Sequence, residues 1–193
     1  EHPWALAFMP DGRLLVTERP GRLRIVATDG SLSAPLTGVP VVHAVGQGGL
    51  LDVAIDPDFS TNRLVYLSFA EPEGGLAGTA VARGTLGATG LENVTVIYRQ
   101  RPKVSGNGHF GSRLVFAQDG KLFITQGDRQ NYRERAQDLL QGMGKFMRIN
   151  ADGTIPADNP FVGREDAQPE IWSYGHRNGP AATPDPATGQ LRT

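Results

Sequence analysis

Residues 4–26 read WALAFMPDGRLLVTERPGRLRIV, in which three apolar stretches are separated by two short turn sequences. In the first turn Pro10 fixes its own φ angle, and the following Asp11-Gly12 pair accepts turn dihedrals that other residues resist. The second turn contains the Pro20-Gly21 pair. The pattern therefore predicts three short antiparallel strands joined by tight turns.

The same unit recurs further along the chain. Residues 51–69, LDVAIDPDFSTNRLVYLSF, again hold a Pro-Asp pair between two apolar stretches. Residues 113–125, RLVFAQDGKLFIT, give a third copy, and a fourth begins near Ala181 and runs through 185–189 to Leu191. Small antiparallel sheets bury both faces only by stacking on neighbours around an axis. We therefore predict an all-β fold, a β-propeller with about three blades and the start of a fourth, with a β-sandwich of the same hairpins as the alternative.

Composition supports many turns and excludes several classes of partner. The 193 residues include 25 glycines and 14 prolines spread between the apolar stretches, which is typical of turns and not of disorder. A net charge of -1 gives no basic excess, so we expect neither nucleic acid nor a membrane as partner. The absence of cysteine excludes disulfides and thiolate catalysis.

Two segments are expected to differ from strands. Residues 133–142, RERAQDLLQG, hold good helix formers before a glycine, which predicts a helix of about two turns. Residues 155–161 contain two prolines that cannot donate to a sheet, which predicts a loop. Because three blades do not close a ring, we interpret residues 1–193 as one partial propeller domain.

Residues 105–116, SGNGHFGSRLVF, lead a glycine-rich polar loop directly into an apolar strand. A loop at the end of a rigid strand can project a side chain into a cleft in a fixed position. His109 lies at this junction, and a neutral imidazole is a suitable general base near physiological pH. A hydrogen-bonded surface histidine is the competing interpretation of His109.

Six motifs occur in order between residues 3 and 178: GQGGLLD at 46–52, HFGSRL at 109–114, GD at 127–128, GK at 144–145 with RIN at 148–150, DGTIP at 152–156 with DNPF at 158–161, and YGHRN at 174–178. Together they resemble the soluble quinoprotein glucose and aldose sugar dehydrogenases, the glucose/sorbosone dehydrogenase family. The resemblance implies a six-bladed β-propeller with pyrroloquinoline quinone (PQQ) over the central cavity beside a calcium ion. It also implies oxidation of the C1 hydroxyl of an aldose to the lactone.

The resemblance also implies roles for individual residues. His109 would take the hydroxyl proton while hydride passes to the quinone, and Gln47 would border the pocket of sugar and quinone. Arg177 and Asn178 match a pair that contacts the quinone, where a guanidinium suits carboxylate or quinone oxygens. The competing roles are a Gln47 that bridges backbone groups and an Arg177 in an ion pair. Asp128 either orients His109 or caps its own turn.

Three departures limit this resemblance. The residue before the histidine is normally an Asp or Asn that touches the sugar, whereas here it is Gly108, so Asn107 becomes a candidate sugar contact. After the Gly-Asp motif the glucose enzymes have a substrate-contacting glutamine, whereas here Arg129 precedes Gln130, and both are candidate substrate contacts. The sequence GPAA at 179–182 replaces Pro-Gln-Gly, so this loop is expected to differ in shape.

The resemblance implies that calcium ligands and further cationic contacts to the quinone lie mostly beyond Thr193, so no metal ligand is assigned here. The leading hypothesis is the N-terminal half of a PQQ-dependent aldose dehydrogenase, periplasmic or secreted, that passes its electrons to an external acceptor. The alternative is a catalytically incomplete half-propeller that completes its ring by homodimerisation and serves binding or structure. A calcium-dependent lactonase-type hydrolase, with Asp52, Asp128 and Asn178 enlisted as ligands, is the weakest hypothesis.

Overall fold

The first 26 residues form the predicted three-stranded unit. The computed structural model describes residues 1–185 and 187–193. Backbone hydrogen bonds from Gly12 N–H to the Met9 carbonyl and from Gly21 N–H to the Glu18 carbonyl close the two turns. The sheet is antiparallel, in the order β1-β2-β3, and consists of β1 (Pro3–Phe8), β2 (Leu14–Glu18) and β3 (Arg22–Val26).

Three further antiparallel sheets follow the first one. The second has the order β4-β5-β6-β7, the third β8-β9-β10-β11, and the fourth is the hairpin β12-β13. The repeats at 51–69 and 113–125 and the start of a fourth are thus confirmed, although Pro186 lies outside the described residues. The strands are β4 (Leu50–Ile55), β5 (Leu64–Glu73), β6 (Leu76–Leu86), β7 (Leu91–Arg99), β8 (Leu114–Phe116), β9 (Leu122–Thr125), β10 (Lys145–Ile149), β11 (Ile171–Tyr174), β12 (Thr183–Pro184) and β13 (Leu191–Arg192).

The two predicted non-strand segments have different outcomes. Residues 155–161 form turns without a strand or helix, as predicted. The helix predicted over 133–142 is wrong in type and extent, because only a 3₁₀ helix, Arg133–Gln137, forms. Asp138 is extended, and its carboxylate accepts hydrogen bonds from Leu140 N–H and from the Gln141 amide, which compete with helical bonds.

A short α-helix, α1 (Phe59–Asn62), precedes β5. No helix in the part of the chain that the structure describes is long and apolar enough to cross a membrane.

The sheets stack face to face as the blades of a β-propeller. Val65 and Leu67 on β5 pack into the core between the first and second sheets, whereas Tyr66 packs into the core between the second and third. This alternation buries both faces of the second sheet. The first strand of each sheet contacts the next, because β1 lies beside β4, β4 beside β8, and β8 beside β12. Four sheets in this arrangement exclude the sandwich alternative.

Candidate functional site

The site is assembled by the loops that lead into the first strands of successive sheets. Gln47 precedes β4, His109 precedes β8, and Asn178 precedes β12. Because these first strands are neighbours around the axis, their preceding loops meet at one end of the sheets. Side chains of two of these loops thereby reach the backbone of the third, because Gln47 Oε1 and Asn178 Oδ1 each accept a backbone N–H of the histidine loop.

His109 is held from two sides. Its backbone N–H donates to Gln47 Oε1 at 2.8 Å, and its imidazole Nδ1 lies 2.7 Å from Asp128 Oδ1. Both side chains are largely buried, with 14% of the His109 side chain and 4% of the Asp128 side chain exposed. A carboxylate accepts hydrogen bonds only, so Nδ1 carries the proton and Nε2 is left as the basic atom of a neutral imidazole.

Asp128 both orients His109 and caps its turn, so the two roles considered from the sequence are combined. The same Oδ1 atom accepts the backbone N–H of Gln130 at 2.7 Å. The backbone N–H of Asp128 donates to the Arg177 carbonyl at 2.8 Å, which ties the loop between β9 and β10 to the loop that leads into β12. The position of the Asp128 carboxylate is therefore fixed by contacts beyond the histidine.

Backbone strain is concentrated at these loops. His109 has a φ of 50°, and Arg129 and Gln130 have φ values of 55° and 65°, although left-handed backbone is costly for non-glycine residues. Gly127 allows the loops to approach closely, because a Cβ there would lie 2.3 Å from the His109 carbonyl oxygen and 2.7 Å from Asn178 Oδ1. Surrounding contacts must maintain this geometry.

Two cavities adjoin His109 and its partner Asp128: Phe110 and Gly111 of the histidine loop line one of them, and Asp128 lines the other. The smaller, of about 310 Å³, is lined by Gln47 and Asn178, and Asn178 Oδ1 accepts Gly111 N–H at 3.0 Å. The larger, of about 600 Å³, is lined by Asp128 and Arg177. The Gln47 side chain thus accepts one backbone N–H, where the competing interpretation expected a bridge between backbone groups, and it also lines a cavity. Among the described residues, the exposed Arg177 forms no ion pair.

One of the expected sugar contacts, Arg129, is corrected by the structure. Arg129 is completely buried, with its guanidinium donating to three backbone carbonyls, so it faces no cavity. Asn107 Oδ1 lies 2.9 Å from His43 Nε2, its side chain is exposed, and its contact to the sugar stays a prediction. Gln130, in contrast, lines the larger cavity, and its Oε1 lies 2.4 Å from where a Cβ of Gly108 would be. The Gln130 amide therefore occupies the space that the missing side chain at 108 leaves.

Six residues that line the smaller cavity were not predicted as site residues, and three of them carry aromatic or charged side chains. Trp4, Arg19 and Phe110 line it together with Gln47 and Asn178. The guanidinium of Arg19 donates to the carbonyls of Gly46 and Gly48, on both sides of Gln47. Arg19 lies in an ordinary turn sequence, and no local pattern marks it, because its partners are 27 and 29 residues away.

Within residues 1–185 and 187–193, no group of three or more His, Asp or Glu side chains could hold a metal ion. Asp52, enlisted above for a hydrolase, is occupied by Arg113 Nη1 at 2.9 Å and by Leu114 N–H at 2.7 Å. Burial raises the pKa of Asp52, against the opposing effect of the Arg113 charge. The described residues therefore do not form a calcium site. Asp52, the first ligand of the hydrolase hypothesis, is already bound by Arg113 and Leu114.

Comparison with known proteins gives consistent matches. The family model described as Glucose / Sorbosone dehydrogenase matches residues 1–193. The aldose sugar dehydrogenase YliI of Escherichia coli is 51% identical over 183 residues, which cover 92% of this chain and 49% of that protein. Quinoprotein glucose dehydrogenase B of Acinetobacter calcoaceticus is 34% identical, over 95% of this chain and 44% of that protein. The chain thus spans about half the length of the curated relatives that it matches.

Solved structures agree in fold. The apo-form of the soluble aldose sugar dehydrogenase from Escherichia coli matches 99% of this chain and 56% of its own, with a TM-score of 0.95 and 46% identity. The PQQ-bound aldose sugar dehydrogenase from Streptomyces coelicolor matches 92% of this chain and 52% of its own, with a TM-score of 0.78 and 29% identity.

Proposed function

The chain belongs to the glucose/sorbosone dehydrogenase family, and on that premise we propose that it forms the N-terminal half of a quinoprotein that oxidises the C1 hydroxyl of aldoses to lactones. The observation that carries this proposal is the buried Asp128–His109 pair, with its Nδ1 to Oδ1 distance of 2.7 Å, beside two open cavities. One relative is an aldose sugar dehydrogenase, and one similar structure holds PQQ.

The smaller cavity has the chemistry that PQQ requires. This cofactor is a flat quinone with three carboxylates, so it needs aromatic surfaces, amide donors and cations. Trp4 and Phe110 supply aromatic surface, Gln47 and Asn178 supply amides, and Arg19 supplies a cation. We expect these residues, with Arg177 at the neighbouring cavity, to hold part of the cofactor. When bound, the quinone supplies the two-electron acceptor for hydride.

His109 serves as the general base in this proposal. Its Nε2 takes the proton of the sugar C1 hydroxyl as the C1 hydride departs, and the C1 carbon becomes the lactone carbonyl. Asp128 keeps the proton on Nδ1 and stabilises the imidazolium that forms. Arg177, exposed beside Asp128, stabilises negative charge that arrives with hydride. Gln130, which fills the space beside Gly108, is the proposed contact to the sugar hydroxyls.

The decisive experiment uses the complete gene product loaded with PQQ and calcium. An aldose and an artificial electron acceptor are added, and quinone reduction is followed by absorbance. We expect reduction by wild-type protein, and we expect His109→Gln to lower turnover at least 10³-fold while PQQ binding is retained. His2→Gln, a change at an exposed histidine, is the control. Unchanged turnover in the His109 variant would refute the assigned role.

The homodimer alternative has one observation in its favour. Leu6 and Phe8 on β1 are exposed, while Ala5 and Ala7 of the same strand pack into the core. The open face of the first sheet therefore needs a cover, either further blades of a longer protein or a second copy of this chain. Light scattering of residues 1–193 would distinguish a dimer from a monomer. The proposal also includes an external physiological electron acceptor and a periplasmic or secreted location.

A further inference from the structure

Arg129 is a buried cation that is hydrogen-bonded to the backbone next to His109. Its Nε donates to the Gly108 carbonyl at 3.1 Å, its Nη1 donates to the Ala77 carbonyl at 2.5 Å, and its Nη2 donates to the Gly106 carbonyl. The centre of its guanidinium lies 3.8 Å from the centroid of the Phe110 ring. The residues immediately before and after His109 are therefore both in contact with one guanidinium.

The charge of Arg129 has no carboxylate partner within residues 1–185 and 187–193. Burial lowers the pKa of Arg129 to about 10, so the side chain is still a cation at neutral pH. Carbonyl dipoles and the face of the Phe110 ring take the place of a counter-ion. Each of the three guanidinium nitrogens donates to one carbonyl, and the three carbonyls come from two different segments. A lysine, with one nitrogen, could not reproduce this planar arrangement of donors.

The loop that Arg129 holds, residues 105–113, contains no strand or helix, so its shape depends on side-chain contacts such as those of Arg129. Gly106 has a φ of 95°, and glycine populates many backbone conformations when nothing restrains it. His109 itself has the left-handed φ of 50°, a geometry that persists only when its surroundings enforce it. Ala77 is the second residue of β6 in the second sheet, so the guanidinium connects this loop to a rigid strand.

We propose that Arg129 is a positioning residue for His109: it binds the carbonyls of Gly106 and Gly108 and the ring of Phe110 to the second sheet, and so fixes the imidazole for proton abstraction. This inference rests on the proposed function for the role of His109, but the geometric part can be measured independently. Loss of the guanidinium is expected to lower kcat and to leave KM little changed, because Arg129 itself reaches neither cavity.

The test compares Arg129→Lys and Arg129→Met with Arg148→Met in the complete gene product loaded with PQQ. Arg148 is a matched control, since it is also a buried arginine, lies 5.0 Å from the ring centroid of Trp172, and is hydrogen-bonded to Asp158 away from the site. We expect kcat to fall about 10²-fold in both Arg129 variants, with KM changed less than threefold. The control should lose thermal stability but keep kcat within threefold.

A second readout does not depend on activity. The Nδ1 proton of His109, bonded to Asp128, should give a slowly exchanging imidazole signal by NMR in the wild type and in Arg148→Met. We expect this signal to broaden or vanish in the Arg129 variants. If Arg129→Met does not fold, Arg129→Lys, which retains the charge, decides the outcome.

Three results would overturn the inference: an unchanged NMR signal in the folded Arg129 variants, kcat within threefold of the wild type, or an equal loss of kcat in the Arg148 control. Should the wild-type protein neither bind PQQ nor oxidise an aldose, the proposed function fails, and the NMR comparison alone decides whether Arg129 positions the histidine.

Discussion

Replacing Asp128 by Asn tests how the carboxylate supports His109. The substitution keeps the size of the side chain and removes its charge, while the Nδ1 to Oδ1 distance of 2.7 Å sets the contact being weakened. A hydrogen bond to a charged group contributes about 1.5–3 kcal/mol, against roughly 0.5–1.5 kcal/mol for a neutral one. The difference, about 1–2 kcal/mol, corresponds to a loss of roughly 5- to 30-fold in kcat.

A larger loss would follow if the new amide presented its N–H₂ group to the imidazole and forced the wrong tautomer. In a serine protease the equivalent change lowers kcat about 10⁴-fold. Here the backbone N–H of Gln130 donates to the same Oδ1 atom at 2.7 Å, and it requires an acceptor at that position. The asparagine should therefore keep its oxygen toward His109 and avoid the tautomer change.

The assay is steady-state oxidation of an aldose by the PQQ-loaded gene product, with PQQ affinity measured separately. Asp119→Asn is the control, because Asp119 also pairs with a cation, Arg148, but is half exposed and remote from the cavities. A loss below threefold would refute the role of the Asp128 charge. A loss near 10⁴-fold would refute the argument that Gln130 fixes the amide orientation.

Two further predictions concern stability and backbone approach. Burial lowers the pKa of Lys145 to about 8, against 10.5 for a free lysine. Between these two pH values the unfolded state therefore binds more protons than the folded state. The free energy of unfolding is expected to rise with pH across this window. Urea unfolding at pH 7.5, 9 and 10 should show the free energy of unfolding rising by up to about 3 kcal/mol in the wild type relative to Lys145→Met. If the two proteins have parallel pH dependences, the prediction is wrong. Gly127→Ala should separate the loops, because the added Cβ would lie 2.3 Å from the His109 carbonyl oxygen. We expect a loss of at least 10²-fold in kcat from a displacement of about 1 Å, and unchanged kcat would show that the loops can part without cost.

The propeller was predictable because its determinants are local. Turn pairs such as Asp11-Gly12 and the apolar runs beside them fix strands within a few residues of sequence. Strands β6 and β7 were not predicted, since Leu76–Leu86 has no turn signal of the repeated kind and is recognised as a strand by its pairing with β5. The helix at 133–142 failed because propensity is a weak guide where polar side chains such as Asp138 offer other hydrogen bonds.

His109 was a candidate from the sequence, whereas the residues that hold it in place were only partly predicted. Gln47 and Asp128 were named, but the contact of Gln47 to His109 depends on β4 and β8 being neighbours, and that of Asp128 depends on the β9–β10 loop lying beside the histidine loop. Arg129 was assigned to the sugar because the family resemblance implies a substrate-contacting residue directly after the Gly-Asp motif, and that position says nothing about burial. Arg129 has a left-handed φ of 55° and a completely buried side chain, and the sequence around it indicates neither feature.

The three functional loops share one physical solution to their irregular shape. A loop that departs from strand pairing leaves carbonyl oxygens without ladder partners, and each buried one is costly unless a donor reaches it. Arg19 serves the loop of Gln47, Arg129 the loop of His109, and Arg113 donates to the Pro180 carbonyl in the loop of Asn178. One guanidinium offers several donors in a fixed plane, so it can clamp carbonyls from residues on both sides of a functional side chain. Rigid placement of the site is therefore compatible with loops that contain little regular structure, because arginines connect their backbone to the sheets.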